Sequence, residues 1–423
     1  MDRNYIKNLT DLNRSKERSD VLDIINAGIN AIDTRTCIRE KFYVDGDTLH
    51  ADGHVFDLKN FERIAVFAFG KASVDSVKIL EEILGDRITK GVALDKRTYR
   101  GNKVEVFEGS HPHPSMSNVT ISTRIAEEAE DLGENDLAIV VVSGGGSALL
   151  CYPELECDQG NALYDSFLKS GGSIRELNTI RKHISSIKGG GLAKFLYPAT
   201  VVSLVLCDVS GEYFEEVASG PTYKDNTTVE DAKRLLEKFN IKDEFVFNDT
   251  PKEDKYFEKV VNVPVVSNVK AINAMKKKAE ELGYVALDAG CELYESPDVV
   301  INKMNSMLKE KTVVIGGGEP SIKVEGKGGS GGRNEYTTLC AINLIDDESV
   351  FSSVASDGID NHSKYAGAVV DKETKNIIKE KNINLEEALK NFDPENLFFQ
   401  TNDLIDTGET GANVSDLFLL LKK

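Results

Sequence analysis

Asp136–Leu150 reads DLAIVVVSGGGSALL: an unbroken apolar run from Leu137 to Val142, then Ser143, Gly144, Gly145, Gly146 and Ser147, then apolar residues again. A run that is apolar on both faces is a strand of a parallel sheet, and a glycine turn leading into a helix is how a βα unit ends. The same pattern recurs outward from this stretch. RIAVFAFG (63–70) is a buried strand running into Lys71 and the helix ASVDSVKILEEIL, and DVLDIINAGINAIDT (20–34) has helical periodicity. ITKGVALD and NKVEVFEGS read as further strands, followed by a helix near 117–132. TVVSLVLCDVSG is another apolar strand, beyond a helix before Asn178 and a polar, Gly-rich loop. Strands alternating with helices predict an open, mostly parallel α/β sheet with helices on both faces and functional loops at the strands' C-terminal ends.

KFNIKDEFVFNDTPKEDKYFEK (238–259) is charged and weakly patterned, and beyond it a second alternating set begins with NVPVVSN, YVALDAG and TVVIGGGEPSI. With 423 residues the chain is long for one core, so two domains are expected, 1–250 and 251–423. Apolar residues make up 40% and charged residues 29%, the balance of a globular protein. No window approaches ~18 apolar residues, and the polar N-terminus lacks the apolar core of a signal peptide, so a cytoplasmic protein is expected. The cysteines, 6 in all, show no metal-ligand spacing.

Lys and Arg number 51 against 70 Asp and Glu, a net charge of −19. So acidic a surface repels nucleic acid and anionic lipid. An anionic substrate would require locally concentrated cations and free amide groups. Glycine, 34 residues in all, clusters at Gly144–Gly146, Gly189–Gly191, Gly316–Gly318 and Gly326–Gly332. Loops of this kind converge backbone N–H groups on phosphate. The Walker A pattern fails, because Ala65 stands at its first glycine and Ala72 at its Ser/Thr. Gly326-Lys327-Gly328-Gly329-Ser330-Gly331 matches GxGxxG after the strand-like SIKVEG, but its acid near Asp346 precedes the next strand instead of ending it.

Polar groups collect at strand ends. Lys71 could stabilise a transferring phosphoryl group. His111 and His113 lie in GSHPHP, a loop stiffened by proline. Arg181, Lys182, His183 and Lys188 crowd around Gly189 and Gly190 as a candidate anion funnel. Asp208 and Ser210 follow a strand, where a carboxylate could hold Mg²⁺ or take a proton. Ser219–Thr222 is a polar turn, and Arg333 opens a helix, where the dipole disfavours a cation. Asp357, Asp360 and the loop ending at Asn413 repeat the strand-end placement.

Taken in order, AFGKAS, EGSHPHP, VVSGGGSALL, LNTIRKHISSIKGGGLA, CDVSG with ASGPT, GGGEPSI, GGRN, SDGIDN and TGETGANVSDL resemble the glycerate 2-kinase family of the MOFRL-domain type. The resemblance implies a Rossmann-like three-layer α/β/α first domain, a smaller α/β second domain and a site in the cleft between them. It also implies ATP- and Mg²⁺-dependent phosphorylation of the 2-hydroxyl of D-glycerate. By the same likeness Lys71 and Arg333 are the cations nearest the reacting phosphoryl group, Asp208 is the acid and metal candidate, and Ser143–Ser147 contact substrate or phosphate. The matching motifs add His111, Arg181, Lys188, Gly189, Gly190, Ser210, Gly220, Thr222, Gly317, Gly318, Glu319, Asn334, Asp357, Asp360 and Asn413 as binding residues. Two departures stand out: Ser115-Met116-Ser117 where the family carries an acid, and Glu409 where it carries proline. Partners are expected to be D-glycerate and ATP, with neither nucleic acid nor membrane, and a homodimer is left open. The rival readings are an NAD(P)H-dependent hydroxypyruvate reductase and a non-catalytic sugar-acid binding module.

Overall fold

A computed structural model describes residues 3–167, 171–324 and 326–423. By contacts the chain divides into two units. The first comprises Thr34–Cys207 and Tyr213–Val265, and the second the segment ending at Asp33, Asp208–Glu212 and Val266–Lys423.

The first unit begins with an antiparallel meander, β1 (Phe42–Asp45), β2 (Thr48–Ala51) and β3 (His54–Asp57). Its second turn, Asp52-Gly53, has positive φ at both residues (44° and 87°), the twist that closes a two-residue hairpin. The main sheet contains β4 (Arg63–Phe69), β5 (Lys90–Asp95), β6 (Tyr99–Arg100), β7 (Val104–Glu108), β8 (Asp136–Val142), β9 (Thr200–Leu206) and β10 (Val260–Val266). Its order is β10-β9-β8-β4-β5-β7-β6. β4 runs parallel to both β5 and β8, β5 to β7 and β8 to β9, and the edge strand β6 is antiparallel to β7. The chain moves outward from β4 through β5 to β7 and then returns to β8 on the other side of β4. This is the doubly wound order, and ligands of such sheets bind where the winding reverses, outside the strands' C-terminal ends. β4 and β8 end level, Phe69 opposite Val142, so Lys71 and the Ser143 turn emerge side by side.

The second unit has a mixed sheet of β11 (Val285–Leu293), β12 (Thr312–Gly318), β13 (Ser349–Ala355), β14 (Gly367–Val370), β15 (Leu404–Ile405) and β16 (Asp416–Lys422). The order is β11-β12-β16-β13-β14-β15. The last strand of the chain thus lies mid-sheet, antiparallel to both β12 and β13. Phe351, Phe398, Phe418 and Leu420 build the core, with Met304 and Val314.

The helix Lys16–Ala31 belongs to this second unit, not to a first domain running from residue 1 to 250, and residues 251–265 belong to the first unit. The cause is local packing. The helix lies on Asn268–Glu281, close enough that a Cβ on Gly28 would meet Met275 Cγ at 2.7 Å and force that side chain to move. Arg18 is fully buried and donates to both carboxylate oxygens of Asp371 at 2.8 Å, to Asp403 at 2.7 Å and to Thr374 at 3.0 Å. Ionic pairing of this quality is required before a guanidinium can leave water.

The helix Arg333–Leu344 starts under an acid cap: Asp360 accepts the backbone N–H groups of Asn334 (3.0 Å) and Glu335 (2.8 Å). Glu335 is itself buried, with no cation paired to it among the described residues. Burial, only partly offset by Ser363, raises its carboxyl from 4.5 to about 8, and the charges of Asp360 and Glu395 add to the rise.

Arg18→Met should therefore leave the buried Asp371 without its cation and Asp403 with Arg14 alone, and cost about 3–5 kcal/mol of unfolding free energy, read as a lower urea midpoint. For Glu335 the folded state binds the proton more tightly than the unfolded chain. Its contribution is full at acid pH and fades as pH climbs from about 4.5 to 8, at a rate up to ~1.4 kcal/mol per unit. In melts across that range Glu335→Gln should gain on the parent protein as pH increases. Parallel pH curves for the two would refute this assignment.

Candidate active site

At the reversal point of the first unit, two strand ends are tied together by backbone. Ser143 N–H donates to the Phe69 carbonyl (3.1 Å), Lys71 N–H to the Gly144 carbonyl (2.9 Å) and Ala72 N–H to the Ser143 hydroxyl (3.2 Å). Gly70 sits at φ +119°, and any Cβ there would collide with the side chain and carbonyl of Ser143. Gly145 sits at φ +78°, where a Cβ would lie 3.1 Å from both Lys71 Cε and the His111 ring. Lys71 and His111 therefore flank the turn. The N–H groups of Gly144, Gly145 and Ser147 find no acceptor among the described residues, whereas that of Gly146 is spent on the Ser143 carbonyl. Ser147 Oγ meets Ser219 Oγ at 3.0 Å, and Ser219 donates to Asn178 (3.1 Å), bracing the turn from the Ser219–Thr222 side.

The electrostatics match the geometry. Burial first, then the charges of Lys71, Lys96 and Arg181, hold the His111 imidazole down at about 4, so it is neutral at pH 7. Burial also lowers the Arg181 guanidinium to about 10. Among the described residues none of Lys71, Lys96 and Arg181 forms a salt bridge; Arg181 has only the Tyr164 ring, 6.0 Å away. Unpaired cations beside unspent amides, in a chain of net charge −19, form a receptor for an anion.

Not every expected residue joins this group. Lys188 is buried, donating to the Leu150 carbonyl at 2.6 Å and pairing with Glu156, so its charge is already neutralised. Lys182 is likewise bound to Glu216 at 3.1 Å. The amides of Gly189 and Gly190 donate to the Ser219 and Gly220 carbonyls (2.9 and 2.8 Å), and Thr222 is buried against Ser203 and Asn262. These residues brace the loop and offer nothing to a phosphate. His113 turns to Asn161 (3.1 Å). Lys96, just past the end of β5, was not foreseen, although the strand-end rule that singled out Lys71 applies equally to it.

The second unit carries its own constellation. Arg333 donates from Nε to Asp416 (2.6 Å) and from one terminal nitrogen to Glu319 (3.1 Å). Burial works against its charge, but Asp416 and Glu319 outweigh it and hold the guanidinium protonated. Their negative charge also explains how a cation can open a helix against the dipole. Asn334 donates to Asp416 (2.9 Å) and to Asp360 (3.1 Å). Burial raises the Glu319 carboxyl, Arg333 pulls it back, and the charges of Asp416 and Asp208 raise it further, which places Asp208 in the same group. Ser210 meets Ser415 at 2.8 Å, and Gly211 N–H donates to Asn268 (3.0 Å). Gly317 and Gly318 end β12, where a side chain on Gly318 would strike the backbone of Leu293. Asp360 is spent as the helix cap, a correction to its reading as a ligand residue. Asp357 and Asn413 hold turns, accepting from Ile359 N–H (3.1 Å) and Ser415 N–H (3.2 Å) respectively. Asp416 was missed as a site residue because it reads as the first residue of an apolar strand.

GxGxxG at Gly326–Gly331 lacks the strand that a dinucleotide site needs, since residues 321–324 are irregular. Instead Gly329 N–H bonds to the Phe392 carbonyl and Ser330 to Asp393. Among the described residues no group of three or more His, Cys, Asp and Glu could hold a metal ion, and no helix is long and apolar enough to cross a membrane.

Residues 20–249 match a family described as a domain of unknown function, DUF4147, and residues 312–416 match the MOFRL family. A D-glycerate 2-kinase of Thermotoga maritima is 33% identical over 85% of this chain and 91% of its own length. A glycerate 2-kinase of Pyrococcus horikoshii is 32% identical over 95% and 96%. The crystal structure of a glycerate kinase from Thermotoga maritima superposes with a TM-score of 0.81 at 30% identity, covering 96% of this chain and 99% of that one. These relatives match the chain along nearly their whole length, and the chain belongs to the glycerate 2-kinase family.

Proposed function

We propose that this protein transfers the γ-phosphoryl group of ATP to the 2-hydroxyl of D-glycerate, releasing 2-phosphoglycerate and ADP. The observation that carries the reading is the set of unpaired cations and unspent amides gathered where the sheet reverses. Phosphoryl transfer asks little covalent chemistry of a protein; it needs placement of the two reactants and neutralisation of charge that spreads over the phosphoryl oxygens. Lys71 and the Gly144, Gly145 and Ser147 amides would take those oxygens. Arg333, its Nε and one terminal nitrogen fixed by Asp416 and Glu319, has its other terminal nitrogen to give to an anionic oxygen.

Magnesium binds through one or two carboxylates and the nucleotide's own phosphates. The hard oxygen donors Asp208 and Glu319 suit that role, so the lack of a larger ligand cluster does not count against Mg²⁺. Bound there, the ion would neutralise phosphate charge. Asp208 and Glu319 would hold it, and Arg333 would keep Glu319 ionised and aimed.

Incubation with D-glycerate, ATP and Mg²⁺ should release ADP and give a product whose ³¹P spectrum is that of 2-phosphoglycerate. Oxidation of NADH by hydroxypyruvate without any ATP turnover would make the protein a reductase instead, and binding without turnover would make it a receptor. Lys71→Ala and Arg333→Ala should each lower kcat by ~10²-fold or more. Unchanged kcat in both single variants would remove them from the reaction.

A further inference from the structure

Anion binding leaves His111 without a task. Its ring is half-buried beside the Gly145 turn and the Lys71 side chain. Neither ring nitrogen has a hydrogen-bond partner among the described residues, whereas the neighbouring His113 faces Asn161 and Asp165. A half-buried imidazole with no protein partner among the described residues, next to Lys71 at a turn with unspent amides, is placed to meet a ligand. Lys71 lies close to it at the Gly145 turn, and among the described residues the other charges that reach it are also cations, Lys96 just past β5 and Arg181 on the helix Ile174–His183. An imidazole so surrounded is neutral and able to accept a proton. Arg181, a guanidinium with no salt bridge among the described residues, is matched in shape to a carboxylate.

We propose that His111 is the general base that takes the proton of the attacking hydroxyl, and that Arg181, on the helix Ile174–His183, holds the substrate's carboxylate. This deepens the glycerate kinase reading and rests on it. The pairing gives a physical reason for attack by the 2-hydroxyl: that oxygen sits on the carbon next to the carboxylate. As the bond from O2 to the γ-phosphorus forms and the bond from that phosphorus to ADP's oxygen breaks, the hydroxyl proton passes to a ring nitrogen of His111. ADP leaves with the electron pair of the broken bond, and the imidazolium returns its proton to solvent.

The pair has a pH signature. In the free protein His111 titrates near 4, so kcat/KM should stay level down to about pH 5. Bound carboxylate and phosphate offset the three cations and raise the imidazole, so kcat itself should fall on the acid side at a higher pH than kcat/KM does. The test is kcat and KM between pH 5 and 9 for the full chain, His111→Asn, His111→Gln and Arg181→Lys, with melting curves to verify folding. At pH 7 both His111 variants should lose ~10²-fold or more in kcat, keep their KM for ATP within about threefold, and lose the acid limb. Arg181→Lys should raise KM for glycerate about tenfold or more, the usual scale for loss of a bidentate charge-assisted pair. A folded His111 variant that keeps kcat within about threefold of the parent, or that keeps the acid limb, overturns the proposal while the kinase reading stands. Absence of ATP turnover in the parent protein overturns both.

Discussion

Everything at the candidate site depends on how closely two strand ends approach one another. β4 and β8 finish level, and the Phe69 carbonyl, the Ser143 amide and hydroxyl, and the Lys71 and Ala72 amides satisfy one another across the gap. Only glycine at position 70 permits this, because a Cβ would occupy the space of Ser143. The clamp consumes some backbone donors and leaves others unspent. It also fixes the base of the Lys71 side chain, so that its cation stands beside the free amides of Gly144 and Gly145 without having to search for them. Receptors that are built before the ligand arrives lose little entropy on binding.

Charge placement is the second determinant. In a protein with 70 acidic and 51 basic residues, most cations are expected to find a carboxylate. Lys188, Lys182, Arg18 and Arg63 do. Among the described residues Lys71, Lys96 and Arg181 do not, and the charge of each weighs on the His111 imidazole. Arg333 follows the opposite logic: its partners Asp416 and Glu319 hold its orientation and leave one donor edge open. The two arrangements suit different demands. Unpaired cations attract an anion, whereas a braced guanidinium delivers a hydrogen bond in a set direction.

Several residues were legible because their meaning is local. Leu137–Val142 can only be a doubly buried strand, and the chain leaving it must turn on glycine into a helix, which put Ser143–Ser147 at a functional edge on sequence grounds alone. Lys71 was legible for the same reason, as the residue leaving another such strand. Lys188, Gly189 and Gly190 misled, because a basic, glycine-rich run looks alike whether its charge meets phosphate or Glu156, a residue far off in sequence. The β1–β3 meander carried a signal in its Asp-Gly turns that the helical emphasis of its surroundings obscured.

The sequence by itself determined the strand and helix pattern, the acidic balance, the order of the motifs and so the family, since each depends on neighbours within a few positions or on totals. The tertiary structure alone decided which cations stay unpaired, that Asp360 caps a helix, that the last strand enters the sheet between β12 and β13, and that the N-terminal helix packs on Asn268–Glu281. Each of those outcomes turns on contacts between residues far apart in the chain, such as Arg18 with Asp371 and Asp403. Burial, the quantity that sets their energies, exists only once the chain has closed around them.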